Sequence, residues 1–239
     1  MPILSLQDVS KSFGALKVTD GVSFDLEAGE ALGIIGPNGA GKSTLFNLIT
    51  GNIAPNAGRV FLDSHDVTRT APMERVRAGI GRSFQIPQPF GGLSVYENLL
   101  VAARFGGAVS GSEAPGFCMD ILTRTGLAAV AQKPSGGLSL LQRKRLELAR
   151  AMATRPRVIL LDEIAGGLTD AECGQLVATI KAIHAEGTAI IWIEHVLHAL
   201  TSVVERLMVL NFGRMLMIGA PDDVMASAEV REIYLGIEA

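Results

Sequence analysis

Nine residues, Gly36-Pro37-Asn38-Gly39-Ala40-Gly41-Lys42-Ser43-Thr44, constrain the fold of this chain more than any other stretch. They match G-x-x-x-x-G-K-[ST], and they stand in the context that the pattern needs. An apolar run, Ala31 to Ile35, leads into them as a strand, and a helical pattern follows, with Leu45, Phe46, Leu48 and Ile49 on one face and Gly51 as a stop. The glycines at 36, 39 and 41 permit backbone angles and close approaches that a Cβ forbids. The loop amides and the helix N-terminus then face an anion. Lys42 supplies a point charge for β- and γ-phosphates, and Ser43 a hydroxyl for Mg²⁺. All nine residues are expected to line a bound nucleotide.

The 239 residues suffice for one domain with subdomains or two small ones, and apolar residues make up 48%. No uncharged apolar run approaches the roughly 20 residues that span a bilayer. The net charge of −3 gives no pull toward nucleic acid or anionic lipid. Met1-Pro2-Ile3-Leu4 opens directly onto a strand pattern, without a secretory signal, and Cys118 and Cys173 lack metal spacing. A cytoplasmic location follows as an expectation.

Ile3–Leu6, Val22–Leu26 and Arg59–Leu62 alternate like half-buried strands and predict an antiparallel layer. Val158–Leu161 and Ala189–Ile193 are fully apolar, as suits strands buried on both faces of a parallel sheet. Between them Leu176, Val177, Ile180 and Ile183 predict a helix, with Thr169-Asp170-Ala171-Glu172 as its capping box and Gly187 as its end. Arg206–Asn211 and Met215–Ile218 predict a hairpin turning through Phe212-Gly213-Arg214. Strand–helix–strand alternation defines an α/β chain. Residues 86–155 read as a helical insertion between the core segments 1–85 and 156–239, opening with a hinge at Ile86–Gly92. Phe105–Gly116, rich in Gly, Ser and Ala, predicts a mobile loop.

A buried strand that ends in two acids, Asp162-Glu163, is costly unless the acids serve a cation or a reaction. Asp162 can hold Mg²⁺ through water, and Glu163 can orient or deprotonate an attacking water. His195 ends the next strand, on the same sheet edge, where it can hydrogen-bond a γ-phosphate. Gln85, at the entrance to the insertion, offers a neutral amide to Mg²⁺ or water. Phe13 is placed where an adenine ring could stack, although an isolated aromatic is more often core. Arg143-Lys144-Arg145 reads as a solvated helix face.

In these residues the chain resembles the ATP-binding subunits of ABC transporters over nearly its whole length. The resemblance implies a P-loop NTPase (RecA-like) core with an antiparallel β-subdomain and an inserted helical subdomain, all within a single ATP-binding domain. Two subunits, identical or not, would close head-to-tail around two ATP molecules with Mg²⁺. It implies that Phe13 stacks on adenine, that Ser43, Gln85 and Asp162 serve the metal, that Glu163 is the general base, and that His195 senses the γ-phosphate. Implied partners are ABC permease subunits in the inner membrane and indirectly a substrate-binding protein; nucleic acid is not among them. The groove near Tyr96–Val101 is the candidate docking surface, and its apolar residues read equally well as core. The chain would sit peripherally on the inner face of the cell membrane. Arg82-Ser83-Phe84-Gln85, Glu97–Ala102, Arg145–Arg150, Ile193-Glu194-His195 and Tyr234-Leu235-Gly236 look like the branch that imports branched-chain and other hydrophobic amino acids.

Some positions depart from the family pattern. Leu138-Ser139-Leu140-Leu141-Gln142 occupies the register of the Leu-Ser-Gly-Gly-Gln signature, with Ser139 retained for the partner's nucleotide but both glycines replaced by leucines. Ser135-Gly136-Gly137 lies just upstream, out of register. Ile164 replaces a common proline, and Thr169-Asp170 replaces a more typical loop ending. Rival readings are a soluble ATPase of this type acting on nucleic acid or ribosomes, and a degenerate regulatory cassette.

Overall fold

The computed structural model describes residues 1–235; of the Tyr234-Leu235-Gly236 tract, Gly236 lies outside them. In chain order the strands are β1 (Pro2–Phe13), β2 (Leu16–Glu27), β3 (Ala31–Ile35), β4 (Ala57–Leu62), β5 (His65–Asp66), β6 (Ile80–Arg82), β7 (Val158–Asp162), β8 (Ala189–Ile193), β9 (Arg206–Asn211) and β10 (Arg214–Gly219). The main helices are α1 (Lys42–Thr50), α2 (Pro72–Arg77), α3 (Val95–Phe105), α4 (Ala114–Arg124), α5 (Leu140–Ala153) and α6 (Asp170–Ala185).

Six strands form one sheet in the order β10-β9-β3-β8-β7-β6, and β2-β1-β4-β5 form a second, antiparallel one. In the six-stranded sheet β9, β3, β8, β7 and β6 run parallel, and β10 closes the edge antiparallel to β9. The apolar runs become buried strands because both faces of this sheet are covered. Ile159, Leu161, Ile190 and Trp192 face a core shared with α3, α5 and α6. Their neighbours Val158, Leu160, Ile191 and Ile193 face a second core, shared with α1 and the antiparallel sheet. Parallel pairing brings the C-terminal ends of β3, β8 and β7 to one edge, with Ile34 beside Ile193 and Ile193 beside Asp162. The site is built on that edge.

The last turn of α1 is closed from outside. Arg75 of α2 is 1% exposed and donates through Nη1 to Leu48 O and Ile49 O, both at 2.8 Å. A buried cation at a helix C-terminus both satisfies orphan carbonyls and opposes the helix dipole.

One expectation needs correction. Phe105–Gly116 is not a continuous loop: Phe105 ends α3 and Ala114 begins α4, and Val109 and Ala114 are buried, which ties the short connection to the core. The Gly/Ser/Ala composition concealed these two apolar anchors. Near Tyr96–Val101, Leu99 is fully buried while Tyr96 and Leu100 pack partly buried against the core, so this face of α3 is chiefly interior. The expected hinge at Ile86–Gly92 has no regular structure, and buried side chains hold its backbone: Gln88 N donates to Glu147 Oε1 at 3.0 Å and Phe90 N to Asn98 Oδ1 at 2.9 Å.

Candidate functional site

Strand β3 ends at Ile35, and the chain turns through Gly36 at φ +154°, so close to β9 that a Cβ there would lie 2.1 Å from Leu210 O. Gly41, at φ +99°, is the N-cap of α1, and its Cβ would lie 2.4 Å from Val18 O. No residue with a side chain fits either position without moving backbone. The loop is further fixed by Gly213 N donating to Ala40 O at 3.0 Å. An open cleft of about 460 Å³ results, bordered by Val18, the loop from Asn38 to Thr44, Gln85, Glu163 and His195.

Lys42 is buried, and its Nζ donates to Gly36 O at 2.7 Å and Pro37 O at 3.1 Å. Burial pushes its pKa down, opposed by the Glu163 and Asp162 carboxylates. Ser43 is exposed in the cleft.

Asp162 ends β7, 3% exposed. Arg82 Nη2 donates to its Oδ2 at 2.7 Å, and Arg82 Nη1 to Asn47 Oδ1 at 2.6 Å. The guanidinium lies between the Phe46 and Phe84 rings, 5.5 and 5.0 Å from their centroids. Burial raises the Asp162 carboxyl above its ordinary range, and Arg82 opposes the rise. Its other oxygen, Oδ1, is buried without a partner among the described residues. An orphaned carboxylate oxygen beside a phosphate cradle is chemically suited to a Mg²⁺ ion or its water.

The Glu163 carboxylate is held at both oxygens. Oε2 accepts from Gln85 Nε2 at 2.5 Å, and Oε1 lies 2.8 Å from His195 Nε2. The residue stands at φ +46°, a strained conformation for a residue with a side chain. Gln85, Glu163 and His195, expected as separate contributors, therefore form one hydrogen-bonded group.

Phe13 sits at the tip of the β1–β2 hairpin and is 51% exposed, so it is not a core aromatic; the Lys11 ammonium is 5.4 Å from its ring centroid. Val18 of the same hairpin borders the cleft. Ser139 lies apart from the cleft as the N-cap of α5, its hydroxyl accepting from Gln142 N and its amide donating to Gln142 Oε1. Leu140 is 46% exposed and close to the loop after Glu163: a Cβ on Gly167 would meet its Cδ2 at 3.4 Å. Ser135 is fully buried, with its Oγ donating to Phe90 O, and has a structural role.

In the basic cluster Arg143 is exposed, as expected of a solvated face, and Lys144 departs from it. Lys144 is not on a solvated face: it is 5% exposed, and its Nζ donates to Gln85 O at 3.1 Å and Glu163 O at 3.0 Å. Burial pulls its pKa down, opposed by the charges of Glu194, Glu163 and Asp162. The helical stripe Leu141, Lys144, Leu148, Ala151 carried the signal, because three apolar residues share the lysine's face. Arg82 and Glu194 stand inside sequence tracts that give neither an individual role. Glu194 is 1% exposed and accepts from Ala165 N and His195 N, both at 2.9 Å.

A parallel sheet with a phosphate cradle after one strand and paired acids after another defines a P-loop nucleoside triphosphatase. The family model described as ABC transporter matches residues 19–166. A probable ABC transporter ATP-binding protein of Azorhizobium caulinodans is 37% identical over 96% of this chain and 82% of its own length. The high-affinity branched-chain amino acid transport ATP-binding protein BraF of Pseudomonas aeruginosa is 33% identical, and the lipopolysaccharide export system ATP-binding protein LptB of Acidithiobacillus ferridurans 32%; both comparisons cover 97% or more of each chain. The crystal structure of an ABC transporter cassette in its ADP conformation superposes with a TM-score of 0.89 at 32% identity, covering 99% of this chain and all of the other. A dimeric cassette in a post-hydrolysis state with ADP and Pi matches with a TM-score of 0.82 at 25% identity, over 91% and 98% of the two chains. The chain belongs to the ABC transporter family, as one of its ATP-binding subunits. Among the described residues no helix is long and apolar enough to cross a membrane.

Proposed function

We propose that this subunit hydrolyses ATP to drive a membrane transporter that imports branched-chain or related hydrophobic amino acids. The observation that carries the hydrolytic part is the Glu163 carboxylate, held by Gln85 and His195 at the mouth of the cradle formed by residues 36–44. The loop amides and Lys42 bind the phosphate tail. Gln85 and His195 fix the carboxylate so that it orients a water and accepts its proton. Mg²⁺, held by Ser43, Gln85 and Asp162, would neutralise phosphate charge when bound. Arg82 holds one Asp162 oxygen and leaves the other for the metal's hydration shell.

The division into a core of residues 1–85 and 156–239 and an insertion of 86–155 fits this reading, because Gln85 then stands at the joint. The partners are permease subunits in the inner membrane and a second ATP-binding subunit, whose nucleotide Ser139 would approach, with a substrate-binding protein engaged indirectly. The subunit would be peripheral on the cytoplasmic face. A cavity between the core and the insertion, lined by Phe84, Ala102 and Glu147 among others, supports docking there. The amino acid substrate rests on the likeness to BraF. The comparable likeness to LptB favours a second reading, lipopolysaccharide export.

Glu163→Gln should retain ATP binding and lose about 10²- to 10⁴-fold in turnover. Steady-state phosphate release, read beside nucleotide affinity, checks this, and wild-type turnover would remove Glu163 from its role. Uptake of labelled leucine by vesicles reconstituted with the cognate permeases separates the two substrates.

A further inference from the structure

Two buried charges near the cleft have no place in the chemistry above. Lys144 and Glu194 are 5% and 1% exposed, and the hydrogen bonds found for both go to main-chain groups. Burying an ammonium or a carboxylate costs several kcal/mol unless the geometry repays it. For filling space alone, a methionine or leucine would serve at lower cost.

The main-chain groups they hold are related. Lys144 Nζ donates to the carbonyl of Glu163 and to that of Gln85, whose side chain binds Glu163 Oε2. Glu194 accepts from Ala165 N, two residues beyond Glu163, and from the amide of His195, whose ring binds Glu163 Oε1. Each buried charge thus joins the Glu163 turn to the backbone of one of the carboxylate's two partners. Glu163 is also among the few residues other than glycine with positive φ, and its own amide donates to Ile193 O at 2.8 Å. Such a conformation persists only where its surroundings over-determine it.

We propose that Lys144 and Glu194 are positioning residues that clamp the Glu163 turn at two points, one through its carbonyl and the other through the amide of Ala165, and so set the carboxylate against Gln85 and His195. The clamp rests on the hydrolytic reading of Glu163. It also links α5, which begins at the signature segment, to the catalytic turn: Lys144 lies one turn beyond Leu140.

The test uses Lys144→Met in the full chain. ATP affinity, read with a fluorescent ATP analogue, should stay within about threefold, while kcat falls about 10- to 100-fold, the cost of misplacing a catalytic group by a fraction of an ångström to an ångström. Single-turnover hydrolysis in a Glu163→Gln background should show no further loss, because nothing remains to be positioned. Lys144→Arg, which keeps the donors, should recover part of kcat. Full turnover in Lys144→Met overturns the clamp. So does an equal loss on top of Glu163→Gln, or a parallel loss of affinity. Should Lys144→Met not fold, Glu194→Gln decides: its amide presents a donor toward one of the two main-chain N–H groups, and the same split between kcat and affinity is required. Glu163→Gln at wild-type rate sinks the hydrolytic reading itself. An inactive Glu163→Gln beside a fully active Lys144→Met sinks the clamp alone.

Discussion

Helices α1 and α5 both begin near functional segments, and they begin differently. At the start of α1 the N-cap is a left-handed glycine, Gly41, and no side chain among the described residues caps it or places an acid in its first turn. At the start of α5, Ser139 and Gln142 form a reciprocal capping box. The first helix leaves its amides to an outside anion, whereas the second has part of its amide set satisfied by its own side chains. A helix start that relies on an external ligand needs a rigid surround, and the cradle has one: Leu210, Val18 and Gly213 press on Gly36 and Gly41 from two strands and a turn. The self-capped start of α5 needs none, and it tolerates Leu140 and Leu141 where the family pattern has glycines.

This contrast can be broken most severely at Gly41. Gly41→Ala places a Cβ against Val18 O at positive φ and should cost about 2–4 kcal/mol of stability, with ATP affinity falling by at least about tenfold. Denaturant unfolding and nucleotide titration check both, and unchanged affinity would mean that the loop is not held rigid. Lys42→Met should likewise weaken ATP binding by about tenfold or more, as a lost charged contact.

The same variant sharpens the electrostatics. The folded-state pKa of Lys42 lies below its ordinary value of 10.5, so the unfolded chain binds more protons between the two values. Stability from this group therefore rises with pH across that window. Melting temperatures of wild type relative to Lys42→Met should increase toward pH 10.5, and a falling difference would reverse the sign. The smallest effect belongs to α5: Ser139→Ala should cost about 1 kcal/mol, or about 2–4 °C, with ATP affinity of the single chain unchanged. A loss of affinity there would place Ser139 in its own chain's cleft.

The comparison also marks what the sequence could tell. The cradle was legible because strand, glycine spacing and helix must coincide locally, and the buried strands because an uninterrupted apolar run fits a sheet covered on both sides. The edge carrying Asp162, Glu163 and His195 followed from parallel order. Side chains whose partners are distant in sequence were harder to read. Arg82 meets Asp162 across 80 positions, and neither end announces the other. Lys144 was hidden between two arginines, its burial visible only on the helical stripe with Leu148 and Ala151. Phe105–Gly116 misled because composition weighs Gly and Ser over the single anchors Val109 and Ala114.

The position of β3 has a consequence for how the molecule is made. Its two neighbours in the sheet are β8 and β9, so the strand that launches the phosphate loop has no hydrogen-bonded partner until residues beyond 189 have been synthesised. Gly213, which secures the loop at Ala40, emerges later still. During translation Ala31–Ile35 is thus an apolar segment waiting for its sheet, a period in which misassembly competes with folding. The ability of a nascent chain to bind nucleotide accordingly reports that its C-terminal half has arrived.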